Sequence, residues 1–246
     1  MMSKFYFDTH MHFDLYQNRD DVLTYMEANR CYTIAITNLP ELFEKYRLCY
    51  GQYKYVKFAL GFHPELVYKY KNQIDKFRRN IRYTRYIGEI GADFTTEDRR
   101  ERETQLEILS EIVSICNQYG DKILSVHTRK AEKQVLEILN HCKSKVIFHW
   151  YSGTIKEIKE AVERGYYFSI NHQMIRSNNG KKIITKIPLE RILIESDAPF
   201  TIGLENNYSI NFMKDIYQFL SVARNVDEEK LGIILKNNFR TILTLG

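Results

Sequence analysis

The chain has 246 residues, of which 44% are hydrophobic, and its formal net charge is +5. The length and the apolar fraction fit one globular α/β domain with a large core, and the small charge permits phosphate-rich partners without requiring them. No apolar run approaches the roughly 20 residues of a membrane helix, and the four cysteines form no CxxC pair. We therefore expect a cytoplasmic protein without a membrane partner.

Eight short apolar runs predict buried parallel strands. In chain order they span 5–7, 32–37, 56–64, 86–91, 123–127, 146–149, 166–170 and 191–195. Helical patterns separate them, namely 20–30, a helix opening at Pro40, a charged stretch ending near 83, 99–119, 131–141, 155–164, a short helix ending near 188 after a basic turn at 178–182, 210–224 and 227–235. Pro40 occupies a favoured first-turn position, and Gly120 and Gly165 end two of the helices.

The alternation of eight strands with helices predicts an α/β fold of the (β/α)₈, TIM-type barrel class. No internal repeat, low-complexity segment or Pro/Gly/Ser-rich linker interrupts the pattern. We therefore expect a single domain over residues 1–246. In such barrels the active site lies at the carboxyl ends of the strands.

The first predicted strand leads directly into Asp8, His10 and His12. Residues two apart in an extended backbone point the same way, so these side chains could project together from one strand end. Two imidazoles on one side form a pincer for a divalent metal. The pattern is short, and taken alone it is equally compatible with a surface run that has no role.

Further side chains of metal-ligand type lie at the same end of later predicted strands. They are His63, Glu89, His127, His149 and Asp197. A single histidine at a strand end is more often a core or rim residue. Several such residues on one rim of one barrel predict a metal centre.

The residue set suits two divalent ions, and Mg²⁺, Mn²⁺ and Zn²⁺ are all compatible with it. We predict that His10 and His12, with Asp197 across the barrel, hold the first ion. His127 and His149 are the predicted ligands of the second ion.

Glu89 and Asp197 are the predicted catalytic residues. Glu89 has two carboxylate oxygens and could bridge both ions, while Asp197 could also orient or deprotonate the attacking water. Two ions about 3.5–4 Å apart lower the pKa of a bound water and brace the entering and leaving oxygens of a displacement, which fits phosphodiester hydrolysis. Asp8 is predicted to hydrogen-bond a ligating histidine from behind.

Six segments spread along the whole chain carry a recognisable pattern. They are Asp8-Thr9-His10-Met11-His12, Gly61-Phe62-His63-Pro64, Gly88-Glu89-Ile90-Gly91-Ala92-Asp93, His127-Thr128-Arg129, His149-Trp150-Tyr151-Ser152-Gly153 and Glu195-Ser196-Asp197-Ala198-Pro199. Together they resemble the TatD family of metal-dependent deoxyribonucleases, within the metallo-dependent, amidohydrolase-like barrel superfamily. The resemblance implies the metal ligands named above.

The resemblance also implies DNA as the partner, hydrolysed commonly by a 3′–5′ exonuclease with Mg²⁺ or Mn²⁺. It places His63 and Arg129 against the substrate phosphate, a role that suits a guanidinium because it binds phosphate oxygens bidentately.

The chain departs from the family pattern at three places. Trp150 stands where the family often has a small or sulfur-bearing residue, and a bulky indole there could narrow the cleft. Ser196 replaces a usual threonine. Asn171 and His172 follow the seventh strand in place of a small Ser-Gly pair, and His172 could contact substrate, although a surface-loop role is favoured. The chain is similar to the TatD-like (QatD) branch found in multi-gene anti-phage defence cassettes, which implies protein partners.

Two other functions remain open at this point. One is a hydrolase of a small amide, ester or lactone on the same barrel. Many amidohydrolase relatives bridge their metals with a carboxylated lysine on the fourth strand, however, and this chain has Glu89 there. The other is a partner-gated subunit of a defence complex, for which the intact ligand set argues against a dead site but not against activity that requires a partner.

Overall fold

Parallel strands alternate with helices throughout the computed structural model, which describes residues 5–244. The strands are β1 (Phe7–Met11), β2 (Tyr32–Ala35), β3 (Val56–Phe58), β4 (Tyr86–Asp93), β5 (Ile123–Arg129), β6 (Lys145–His149), β7 (Tyr167–Ile170) and β8 (Ile192–Ile194). All eight predicted strands are therefore present, most of them shorter or shifted by a few residues. Strand residues are almost all buried, as expected for parallel strands covered by helices.

The helices follow the strands in chain order. They are α1 (Arg19–Ala28), α2 (Pro40–Tyr50), α3 (Pro64–Val67), α4 (Ile74–Asn80), α5 (Arg99–Cys116), α6 (Glu132–Leu139), α7 (Ile155–Glu163), α8 (His172–Arg176), α9 (Asn178–Lys186), α10 (Phe212–Arg224) and α11 (Glu228–Leu243). Asp98 and Asp227 cap α5 and α11, because each side chain accepts a hydrogen bond from a backbone N–H of the first turn. None of the helices within residues 5–244 combines the length and apolar character needed to cross a membrane.

The strands pair in two parallel arcs, β1-β2-β3 and β4-β5-β6-β7-β8. Across residues 5–244 the regular pairing does not run as one closed sheet, and two seams complete the ring. At the first seam, Leu60 donates to Tyr86 O and accepts from Gly88 N, both at 2.9 Å. At the second, Asp197 N donates to His10 O and His12 N donates to Ala198 O, again at 2.9 Å. The predicted α/β barrel class is thus observed, with its sheet interrupted at two places.

Three predicted boundaries are wrong for identifiable reasons. Strand β1 continues to Met11, so His10 lies within the strand and not beyond it. The predicted basic turn at 178–182 opens α9, because the Ser177 hydroxyl caps it by accepting from Gly180 N at 2.9 Å. Helix α11 runs on to Leu243, beyond the predicted end at 235, and within the added turns Asn238 donates to Leu189 O and Ile192 O at 2.7 and 2.8 Å.

Candidate metal centre

All six predicted metal ligands converge at the carboxyl end of the barrel. Five of them are at most 6% exposed, and the sixth, His127, has a side chain that is 17% exposed. Their ligand atoms form overlapping groups in which every pair lies within 4.8 Å: His10 with Glu89 and His149, His10 with His12 and Asp197, and Glu89 with His127 and His63. The sequence pattern predicts that these six residues lie together, and in the structure His63 joins them.

Glu89 stands in the middle of this cluster and divides it between its two carboxylate oxygens. Oε1 lies 2.6 Å from His149 Nε2 and 2.8 Å from His127 Nδ1. Oε2 faces the other histidines, at 3.4 Å from the Nε2 atoms of His12 and His63 and 3.6 Å from that of His10. Each oxygen of this one carboxylate therefore faces its own histidines, and the two sets adjoin at His10 and His149.

The other carboxylate, Asp197, faces the two histidines of β1. The Nε2 atoms of His10 and His12 are 3.1 Å apart, and Asp197 Oδ1 lies 3.6 and 3.7 Å from them. This buried oxygen has no hydrogen-bond partner among residues 5–244. A buried carboxylate oxygen without a partner is costly, and a cation shared with two imidazole nitrogens would satisfy it. The donor set fits a divalent metal on this ground.

Two glycines allow Glu89 to reach the centre of the barrel. Gly88 and Gly91 have φ of +156° and +143°, and a Cβ on Gly91 would stand 2.0 Å from His127 O. The register between β4 and β5 shifts between Ile87 and Ile90, which is how a bulge re-aims a side chain. The Gly-Glu-Ile-Gly segment is thus needed both for the direction of Glu89 and for the close approach of β5.

Three polar side chains support the histidines from behind, and the sequence did not single them out as partners. Ser125 Oγ lies 2.7 Å from His10 Nδ1, and Asp93 Oδ2 lies 2.9 Å from His127 Nε2. Glu195 Oε1 is 3.9 Å from His149 Nδ1. The contacts of Ser125 and Asp93 are hydrogen bonds, which fix the ring orientation and the tautomer of a metal-binding histidine. Glu195 is too far from His149 for a hydrogen bond. Asp93 and Glu195 belong to the six segments that resemble the family pattern, and this membership was the sequence signal that could have identified them.

The predicted hydrogen bond between Asp8 and the imidazole of a ligating histidine is not formed. Its carboxylate contacts no ligand imidazole and accepts instead from the backbone N–H groups of His10 (3.2 Å) and Ser196 (2.9 Å) and from the Tyr208 hydroxyl (2.9 Å). Burial raises the pKa of Asp8 to about 6, against the effect of these hydrogen bonds. Asp8 therefore ties the backbone of β1 to the segment that carries Asp197.

The electrostatics of the cluster favour neutral imidazoles beside charged carboxylates. Burial, reinforced by His149, lowers the pKa of His10 well below its usual range, and burial also lowers the pKa of His149. Burial opposes ionisation of Glu89, but the facing imidazoles, His63 first, hold the pKa of Glu89 well below its usual value. Neutral imidazole is the form that binds a metal.

His127 and Asp197 behave differently from their neighbours. Burial opposes protonation of His127, but its hydrogen bonds to Asp93 and Glu89 raise its pKa to about 10. Burial, and then the charge of Glu89, raise the pKa of Asp197 well above its usual value. His127 would have to release a proton to ligate a cation, so metal binding there is coupled to proton release.

The two residues predicted to face a substrate phosphate occupy different positions. His63 caps α3, with Nδ1 accepting from Glu65 N at 3.3 Å, and burial lowers its pKa to about 4. Its Nε2 is directed at Glu89, so it lies against the cluster. Arg129 ends β5, two residues beyond His127, and its side chain is exposed. The structure brings His63 into the cluster and leaves Arg129 on the rim.

A segment beside the cluster is built around the buried Glu195. Its Oε1 accepts from Trp150 N at 2.9 Å and from Asn171 Nδ2 at 3.1 Å. His172, for which a surface loop was favoured, instead opens α8, is 8% exposed and lies with Nε2 2.8 Å from Asp215 Oδ2. That interpretation of His172 is wrong, because the residue joins α8 to α10.

Comparison of the sequence with known proteins identifies a family and several relatives. A sequence profile described as TatD related DNase matches residues 7–244. An uncharacterized metal-dependent hydrolase of Methanocaldococcus jannaschii is 28% identical over 242 residues, covering 94% of this chain and 94% of the relative. The human deoxyribonuclease TATDN3 is 30% identical over 117 residues, which are 46% of this chain and 42% of the relative.

Two solved structures share the fold. The TatD homologue YJJV of Escherichia coli has a TM-score of 0.85 at 22% identity, with 98% of each chain covered. A TatD family hydrolase of Entamoeba histolytica has a TM-score of 0.78 at 18% identity, covering 99% of this chain and 100% of the other. These likenesses confirm the predicted α/β barrel fold.

Proposed function

Because this chain belongs to the TatD related DNase family of metal-dependent hydrolases, we propose that it is a deoxyribonuclease that uses two divalent ions and removes nucleotides as a 3′–5′ exonuclease. Relatives that carry a deoxyribonuclease name support DNA as the substrate. The proposed location is the cytoplasm, where the four free cysteines would remain reduced.

The observation that carries the proposal is the division of Glu89 between two sets of imidazoles. Its Oε1 contacts His127 and His149, while its Oε2 faces His10 and His12. A carboxylate in this position can be shared by two cations, and paired cations supply an activated water and charge neutralisation for phosphodiester hydrolysis.

The other residues have roles that follow from their positions. His10, His12 and Asp197 would hold the first ion, and His127 and His149 the second. Asp197 would also accept a proton from the attacking water. His63, which lies against Glu89, and Arg129, on the open rim, would contact the phosphate that flanks the cleaved bond.

Purified protein on end-labelled single- and double-stranded oligonucleotides tests this proposal. We expect a ladder that shortens from the 3′ end with Mg²⁺, Mn²⁺ or Zn²⁺, and none with EDTA, because the ligands then lack the cations that activate water. Refilling with each metal in turn identifies the one that supports turnover. Shortening from the 5′ end would overturn the polarity. Turnover of small esters or lactones without competition from oligonucleotides would overturn the substrate.

Arg129 provides a second test, directed at phosphate binding. We expect Arg129→Ala to lower kcat/KM on DNA by about 10- to 100-fold, mostly through KM, since hydrogen bonds to a charged group are worth about 1.5–3 kcal/mol. Metal content should stay at the wild-type level, because the side chain is exposed beyond the ligands. The matched control is Lys133→Ala, an exposed cation on α6. Loss of metal from Arg129→Ala would make the arginine structural.

The biological role that we propose is anti-phage defence together with partner proteins. The family-like segments and the intact ligand set support a working nuclease, and the similarity to the defence-cassette branch supports the partners. Plaque counts on cells carrying the chain alone, or with the genes that accompany it, would show whether protection depends on those partners. Protection that is equal with an inactive variant would oppose a nuclease role in defence.

A further inference from the structure

A cavity of about 380 Å³ lies beside Trp150, the residue that follows the predicted ligand His149. It is lined by Trp150, Gln173, Arg176 and Ser177. Trp150 directly follows His149, the last residue of β6 and a predicted ligand of the second ion, so one wall of the cavity is formed by the residue after a ligand. The cavity is shallow and open to solvent. None of these four side chains has a role in the function proposed above.

The walls of the cavity are held in a fixed relation to the metal ligands. One oxygen of Glu195 accepts from both Trp150 N and Asn171 Nδ2. Asn171 in turn caps α8, with Oδ1 accepting from the backbone N–H groups of Gln173 and Met174, both at 3.1 Å. Because Glu195 lies two residues before Asp197, a single carboxylate connects the indole, α8 and the ligand segment.

Trp150 has an unusual backbone conformation, with φ of +38°. A bulky residue with positive φ is rare and strained, and such residues concentrate at ligand-binding positions. The indole is only partly buried against the core, so its burial does not account for the strained position. This backbone conformation positions a large aromatic surface at the edge of the cavity.

The polar groups in the cavity are free to bind a ligand. Among residues 5–244, no hydrogen bond or ion pair uses the Gln173 carboxamide or the Arg176 guanidinium. A carboxamide offers a donor and an acceptor in one plane, which matches the edge of a nucleobase. An indole face stacks on any base, and a guanidinium binds phosphate or a base edge.

We propose that this cavity is a nucleobase subsite, which holds the base of the nucleotide next to the cleaved bond. The base stacks on Trp150, its edge meets Gln173, and Arg176 contacts the adjoining phosphate. The proposal rests on the proposed deoxyribonuclease activity and specifies its substrate as an unpaired nucleotide, because a base within a duplex is not available for stacking on an indole.

Intrinsic fluorescence tests the subsite without any hydrolysis, because Trp150 is the only tryptophan of the chain. We expect saturable quenching of the metal-loaded protein by the mononucleotide dAMP and none by 2-deoxyribose 5-phosphate, which lacks the base. In Gln173→Leu the quenching should require at least about 10-fold more dAMP, in line with the loss of a hydrogen-bonded base edge. Equal quenching by both probes, or by neither, would overturn the proposal.

Kinetics on matched substrates provide the second test. Trp150→Gly suits the positive φ and should lower kcat/KM by about 10-fold or more on single-stranded DNA, mostly through KM. On an oligonucleotide that is abasic at the terminal position the same variant should lose less than about 3-fold, since no base is present to stack. Trp150→Phe, which keeps an aromatic face, should recover most of the activity.

The control is Tyr83→Leu, an exposed aromatic residue just before β4, at the opposite end of the barrel. It should leave both substrates unaffected. Equal losses of Trp150→Gly on intact and abasic substrates would overturn the subsite while leaving the nuclease proposal intact. Base-dependent quenching in a protein that hydrolyses no DNA would have the opposite meaning, since it would support a nucleotide site and reject the nuclease.

Discussion

Replacement of Glu89 by glutamine is expected to reduce DNA hydrolysis by at least about 10³-fold, which corresponds to about 4 kcal/mol of lost transition-state stabilisation. The carboxylate touches His127 and His149 with one oxygen and faces His10 with the other. Glutamine has the same shape, but its NH₂ group cannot ligate a cation. One of the two cation positions would therefore lose its shared ligand. Single-turnover rates and metal content measured on the same protein samples check this expectation.

The matched control for this variant is Glu65→Gln, which removes the same charge from an exposed position on α3. It should retain wild-type activity and metal content. Far-UV circular dichroism establishes that the Glu89→Gln protein is folded, so that its inactivity reports the site. Wild-type turnover in Glu89→Gln, with both metal equivalents retained, is incompatible with the bridging role.

The second large effect is expected for Asp197→Asn. Asp197 has φ of +47°, and asparagine adopts this left-handed conformation readily, so the backbone should not change. The change removes the negative charge of Oδ1, the oxygen that faces His10 and His12. We expect kcat to fall by about 10²–10⁴-fold, the usual contribution of a general base. Steady-state kinetics at saturating metal measure it.

The stability of Asp197→Asn separates function from folding. Burial of a carboxylate without a partner is costly, so the neutral amide should leave the Tm of the EDTA-treated protein unchanged or higher. Asp75→Asn, an exposed aspartate on α4, is the control and should change neither Tm nor kcat. If Asp197→Asn kept its kcat and its metal, the residue would be neither ligand nor base.

The convergence of the ligand residues could be predicted from the sequence because two simple rules determine it. Parallel strands present their carboxyl ends at one rim, and a polar residue after an apolar run marks each end. His127, His149 and Asp197 follow this pattern closely. Pro40 is an equally local signal, and its helix begins where predicted.

The supporting contacts could not be predicted, since they depend on strand register. Asp93 reaches His127 only because β4 continues past Gly91 and pairs Asp93 with Arg129 after a shift in register. The length of an apolar run does not reveal such a bulge. Glu195 seemed to be the end of a strand, whereas its carboxylate is buried and shared by Trp150 and Asn171. The Asp8 contact likewise depends on the seam between β1 and the segment after β8.

That seam joins the first strand to the segment that follows the last strand. Asp8 accepts from Ser196 N, 188 residues away along the chain, and His10 and Asp197 meet immediately beside this contact. A cation shared by His10, His12 and Asp197 would act as a cross-link that closes a loop comprising most of the protein. Because these residues come together only in the folded chain, the cation would be a ligand specific to the folded state, and such a ligand shifts the folding equilibrium by mass action. The concentration of available metal would then determine the stability of the folded barrel as well as its rate of hydrolysis.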